Sequence, residues 1–308
     1  MVLVVSGTGC LASLVSEQLL AEQRRVRVMA PWAGSGIGTH VEDFGAEVAY
    51  GDPANPDTLR RACEDVDQVV VGVPWPGDAS SGARRGGCAD VRALIDAARQ
   101  ARVAHFVLVS RLGADERHPL AAWRRARAHE HHLQMSGVSA TVVRSAPLME
   151  PIAAWLTDLI QARCWAVVPG SGTDPINLVA AADVVHYALV ALFHPGARGR
   201  VIEVGGPENL SAEEMVSICE RVARCRARRL HVPLWVLRTF ATTLRSIDAA
   251  ASDRPALSLA MGDHPTFDPS ATLADFPLRL TRFEEVVRRR ALALGLGTAK
   301  RDAAPPVP

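Results

Sequence analysis

The chain has 308 residues, 48% of them hydrophobic and 22% charged, which suits one large globular domain or a nucleotide-binding domain with a smaller partner. With 34 basic and 33 acidic side chains, the net charge of +1 gives no overall pull toward nucleic acid or anionic lipid. No apolar run reaches membrane-spanning length, so neither a nucleic acid nor a membrane is expected as a direct partner.

Strands are expected at Val2–Val5, Val26–Ala30 and Glu47–Tyr50, and over 68–73, 106–109 and 140–143. Their apolar character is continuous, as in strands covered on both faces. Helical patterns lie between them over 11–23, 57–62, 88–101 and 120–135. Alternation of this kind predicts an α/β fold with a doubly wound parallel Rossmann sheet. Asn55 before Pro56 reads as an N-cap with proline at the first helical position. Asp183 is read as opening a helix over 184–193, and Ser211 with Glu214 as a capping box. Thr281 with Glu284 is read the same way for a helix over 283–292.

After about residue 149 the alternation fades. A returning strand, Val201–Val204, is followed by Gly205-Gly206-Pro207, then by mostly helical sequence broken at Pro233, Pro255, Pro265, Pro269 and Pro277. The expected division is a dinucleotide-binding domain over 1–150, with a strand returning near 200–205, and a smaller, mostly helical substrate cap over 151–291. The Gly-, Ala- and Pro-rich tail over 292–308 reads as disordered.

Six cysteines (Cys10, Cys63, Cys88, Cys164, Cys219 and Cys225) are scattered without a C-x-x-C pair, and fit neither a disulfide framework nor a zinc site. The first strand begins at Val2, so no signal peptide is expected. A reducing cytoplasm is the expected compartment. Lys300 is the single lysine, which removes lysine from the possible catalysts.

The first strand runs straight into Ser6-Gly7-Thr8-Gly9-Cys10-Leu11-Ala12 and then a helix. Glycine permits close approach of backbone to phosphate, and a helix N-terminus supplies N–H donors and a positive dipole end. This turn is therefore read as a site for a dinucleotide such as NAD(P)H. Four stretches then carry a resemblance to the NmrA-like, atypical branch of the short-chain dehydrogenase/reductase superfamily. The turn resembles G-G-T-G-x-x-G, and Tyr50-Gly51-Asp52-Pro53 through Asp57-Thr58-Leu59 resembles G-D-x-x-D-P-x-x-L. Phe106 through Ser110-Arg111-Leu112-Gly113-Ala114 resembles V-S-S-x-G-A, and Ser136-Gly137-Val138 through Arg144-Ser145-Ala146-Pro147 resembles S-G-L-x-x-T-x-x-R-P. The resemblance implies that Gly7, Thr8, Gly9, Cys10 and Leu11 face the pyrophosphate. It implies Asp52, with Pro53, near the adenine, Val73 and Pro74 beside the nicotinamide ribose, and Ser110 near the nicotinamide. A turn-stabilising role explains Asp52 equally well.

Members of this superfamily usually use tyrosine four residues before lysine as the proton donor and its partner. Here the only tyrosines are Tyr50 and Tyr187, and the matching helix places Ala122 and Ala126 at those positions. After the second strand, Met29-Ala30-Pro31-Trp32 offers neither an arginine for a 2′-phosphate nor an acid for a free ribose, so NAD and NADP stay open. His129-Glu130-His131-His132 lacks the spacing of a helical metal pair and reads as a solvated face, with His118 or His129 as a candidate proton donor. The arginines from Arg221 to Arg229 read as a solvated stretch. Two functions follow: a reductase or related enzyme on a small carbonyl, quinone or enone substrate, or a non-catalytic sensor of the dinucleotide. A cofactor-independent cyclase, isomerase or dehydratase is a third reading. No oligomeric state follows from the sequence.

Overall fold

The valine-rich segments form strands β1 (Val2–Val5), β2 (Val26–Ala30), β3 (Glu47–Tyr50), β4 (Gln68–Gly72), β5 (His105–Arg111) and β6 (Ala140–Ser145) in a computed structural model. It describes residues 1–5, 9–30, 41–51, 55–72, 91–118, 121–237, 239 and 266–294. Two short strands then form outside this sheet, β7 (Trp165–Pro169) and β8 (Ile176–Asn177), before β9 (Val201–Val204) rejoins it. The seven strands lie in the order β3-β2-β1-β4-β5-β6-β9, and every pairing is parallel. Val4 sits at the centre, level with Val28 on one side and Val70 on the other.

Helices cover both faces because successive side chains of a strand point to opposite sides. Val2 and Val4 of β1, with Val107 and Val109 of β5, pack on α1 (Gly9–Ala21) and on a later helix, Ala181–Phe193. Leu3 and Val5, with Phe106 and Leu108, pack on α2 (Pro56–Ala62), α3 (Arg92–Gln100) and α4 (Ala121–Met135). A third core joins α5 (Met149–Arg163) to helices near the C-terminus through Leu156, Ile160, Met215, Cys219, Phe283 and Val287. Each such side chain contributes ~1.5–3 kcal/mol when fully buried.

The Ala181–Phe193 helix, α6, belongs to the packing of the main sheet, so the returning part of the chain is a helix and a strand. Beyond β9 come β10 (Asn209–Leu210), α7 (Ala212–Ala223), β11 (Arg228–Val232), α8 (Ser270–Asp275) and α9 (Phe283–Ala293). β11 runs parallel to β7, and β10 antiparallel to β8, so the mostly helical C-terminal region also carries two small sheets. Gly206 is needed where the chain leaves β9, since a Cβ there would meet the Leu178 carbonyl oxygen at 2.0 Å.

The Asn55 cap and the Ser211–Glu214 capping box form as expected. The other two caps do not. α6 starts at Ala181 behind Ala180, and α9 at Phe283 behind Arg282. Asp183 and Thr281 are both buried and serve each other: the Thr281 backbone N–H and hydroxyl donate to the Asp183 carboxylate at 2.8 and 2.9 Å. A buried carboxylate needs donors, and here they come from 98 residues away, beyond the reach of local spacing.

Tyr50 closes a strand whose apolar character predicts cover on both faces, yet it stands on the edge strand, 43% exposed, where its hydroxyl donates to Glu42. Tyr187 is fully buried, and its hydroxyl reaches the Phe276 carbonyl only at 3.3 Å. Tyr50→Phe should leave stability unchanged within ~0.5 kcal/mol, and Tyr187→Phe should lower it by about 0.5–1.5 kcal/mol. Denaturant melts check both values. A hundredfold or greater loss of turnover in either folded variant would contradict their structural assignment.

Candidate functional site

The order of the sheet reverses between β1 and β4, and ligands of open α/β sheets bind at such a switch point, beyond the carboxyl ends of the strands. α1 opens there at Gly9, with no acidic residue in its first turn to neutralise the dipole. Its free N–H groups and a positive end of roughly half a charge suit a diphosphate. Leu11 is 6% exposed and packs in the core with Ala12 and Val15, so what Leu11 offers a ligand is backbone. Between α1, α6 and the sheet lies a small apolar cavity lined by Leu11, Gly72, Val109, Val184 and Val185. An acid-free helix start at the switch point fits a dinucleotide's diphosphate. Gly7, Thr8, Asp52, Pro53, Val73 and Pro74 lie outside the described residues, as do the NAD- and NADP-discriminating positions after β2.

Ser110 is the next-to-last residue of β5, on the face covered by α4. Its side chain is buried, and its hydroxyl donates to Glu130 at 2.6 Å. Glu130 is completely buried and also accepts from Arg144 Nε at 3.0 Å and Arg144 Nη2 at 2.7 Å. Arg127 lies 3.5 Å away, and Arg144 reaches on to Glu203 at 3.4 Å. Glu130 holds the Arg144 guanidinium pKa above its usual value, chiefly through those hydrogen bonds. A serine has one O–H proton, and here it is committed to Glu130. In the sequence Glu130 stands out only as part of the histidine-rich run His129-Glu130-His131-His132. The signal was present: Trp123, Ala126, Glu130 and Leu133 form one helical stripe, so the acid had to be buried and paired.

At the end of β5, Arg111 is buried with its guanidinium 5.2 Å from the Trp123 ring centroid. The Trp123 indole donates to the Leu112 carbonyl at 3.1 Å, and the His118 ring stacks on it at 5.0 Å. Ala126 is fully buried, and Ala122 is half-buried. His129 is 4% exposed, so it does not lie on a solvated face. That expectation fails because His129 sits one turn from Ala126 and Leu133, on the side of α4 turned inward. His132 does sit at the surface and pairs with Asp96 at 3.0 Å. Arg27 is held by Glu47 at 2.7 Å and by the carbonyls of Ala62 and Glu64, away from the strand ends. Of the arginine stretch, Arg221 pairs with Glu284, and Arg229 with Glu213 and Glu220.

A sequence-family model described as NAD(P)H-binding matches residues 7–195, more than half of the chain, and spans β1 to α6. The chain belongs to this family. Within it, the chain is an NmrA-like, atypical short-chain dehydrogenase/reductase, and its cofactor is NAD(P)H. The family member is 31% identical over 227 residues to a (4-alkanoyl-5-oxo-2,5-dihydrofuran-3-yl)methyl phosphate reductase of Streptomyces griseus, covering 72% of this chain and 73% of that one. It is 25% identical over 240 residues to the photosystem II assembly factor Ycf39 of Trieres chinensis, covering 77% and 73%. Its fold is that of the quinone oxidoreductase QOR2 of Escherichia coli, solved with NADPH, at a TM-score of 0.73 and 20% identity, covering 94% and 99%. Among the described residues, no helix is long and apolar enough to cross a membrane.

Proposed function

We propose that the chain is an NAD(P)H-dependent reductase of a small conjugated acceptor, such as a quinone or an enone. The observation that carries this reading is the commitment of the Ser110 proton to buried Glu130, at a site where alanines stand in the places of the usual tyrosine and lysine. A bound reduced nicotinamide supplies a hydride. The chain's own residues hold the diphosphate on the first turn of α1. A simple ketone gathers negative charge on one oxygen and needs a donor there. Ser110 has no proton to give, and a quinone or enone spreads the same charge over several atoms, so water suffices as the proton source. The Streptomyces relative's name describes a ring C=C bond conjugated with two carbonyls, and the Escherichia coli protein is a quinone oxidoreductase; both names support a delocalised acceptor.

Matched simple ketones, enones and quinones, assayed with NADH and NADPH, test the proposal. The conjugated acceptors should exceed the ketones in kcat/KM by about 100-fold or more, the worth of one missing oxyanion donor. Efficient reduction of the simple ketones alone would refute it. A second reading, a dinucleotide-binding protein that acts through a protein partner, is favoured by the Ycf39 relative, an assembly factor by name. Tight cofactor binding with no turnover on the whole panel would select that reading. A cytoplasmic location with a small-molecule substrate belongs to the first.

A further inference from the structure

Two cysteines far apart in sequence meet on the surface of the C-terminal region. The sulfurs of Cys164 and Cys225 lie 3.1 Å apart, although 61 residues separate them. Two left-handed helix ends build this contact. Cys164 itself closes α5 at φ 51°, and Arg224, also at φ 51°, closes α7 just before Cys225. The parallel pairing of β7 with β11 then fixes the two chain segments, with Arg228 level with Trp165 and its N–H donating to the Cys164 carbonyl at 2.7 Å. Cys164 is exposed and Cys225 partly so. Cys63 and Cys219 are buried instead, and burial pushes their thiols up to about 11 and about 12.

The geometry points to Cys164 and Cys225 as a reversible dithiol site that a low-molecular-weight disulfide such as oxidised glutathione converts to an intramolecular disulfide. The sulfur–sulfur gap exceeds the ~2.05 Å of a disulfide by only about 1 Å. Exposed Cys164 loses its proton to solvent and attacks one sulfur of the oxidant, releasing one glutathione thiolate and leaving a mixed disulfide. The Cys225 thiol, held up by its hydrogen bond to Cys164, is freed once that bond is lost. As a thiolate it attacks the Cys164 sulfur and releases the second glutathione. Two protein thiols are thereby oxidised, and their two protons pass through solvent to the two departing glutathione thiolates, so one glutathione disulfide becomes two thiols. The product staples the end of α5 to the end of α7, beside the small sheet of β7 and β11.

The full chain, reduced and desalted, is incubated with glutathione disulfide, its remaining thiols are blocked, and its peptides are mapped by mass spectrometry. The expected product is a monomer with the Cys164 and Cys225 peptides joined, and dithiothreitol reverses it. Its melting temperature should exceed that of the reduced chain by about 5 °C or more, because the bond closes a long loop in the unfolded state. Cys225→Ser should stop the reaction at a glutathione adduct on Cys164, and Cys164→Ser should prevent the cross-link. Free thiols at both positions, stable glutathione on both, or a link between chains would overturn the assignment.

Discussion

Glu130→Ala is expected to lower the melting temperature by roughly 4–6 °C, the equivalent of about 3 kcal/mol in a chain of this size. Glu130 is fully buried and takes two hydrogen bonds from Arg144 and one from Ser110. Removing it leaves a mostly buried guanidinium with only Glu203 opposite, at 3.4 Å, and strips the Ser110 hydroxyl of its acceptor. The Arg144 side chain is 20% exposed, which keeps the loss near the lower end for a broken buried pair. Glu130→Gln keeps the shape without the charge and should fall between the two. A melting temperature unchanged in Glu130→Ala would mean that the pair contributes nothing net.

Gly9→Asp should weaken NAD(P)H binding by about 100-fold or more while the chain stays folded, a loss near 2.7 kcal/mol. Gly9 opens α1 at the switch point of the sheet, where N–H groups point outward and the first turn carries no acid. An aspartate there sets a carboxylate against the diphosphate, and like charges at a binding surface cost several kcal/mol. The same carboxylate suits a helix N-terminus and is worth ~0.3–1 kcal/mol to the helix, so stability should not fall with affinity. Fluorescence titration alongside thermal melts separates the two effects. Unchanged affinity in a folded variant would move the diphosphate away from this turn.

The parallel sheet was legible because its strands are short, valine-rich and separated by helical patterns, and every one of the six early strands forms within two residues of its expected bounds. The diphosphate turn was legible because strand, glycines and helix are contiguous. What escaped depends on partners distant in sequence. Asp183 and Thr281 looked like two caps because each stands beside an apolar helical run, yet each finds its hydrogen bond in the other. Cys164 and Cys225 looked scattered because local spacing says nothing about two helix ends that a parallel strand pair draws together. Tyr50 looked buried because it closes a valine-containing strand, but the strand turned out to be an edge. The role of Ser110 needed both kinds of information. Its motif marked its place in the sheet, whereas Glu130, twenty residues on, decides where its proton goes.

Isothermal titration of the wild-type chain with NADH and NADPH tests the central claim most directly. The account predicts one saturable site per chain for at least one of the two, with heat that disappears in Gly9→Asp. No heat with either dinucleotide at millimolar levels, from a folded chain, would contradict it.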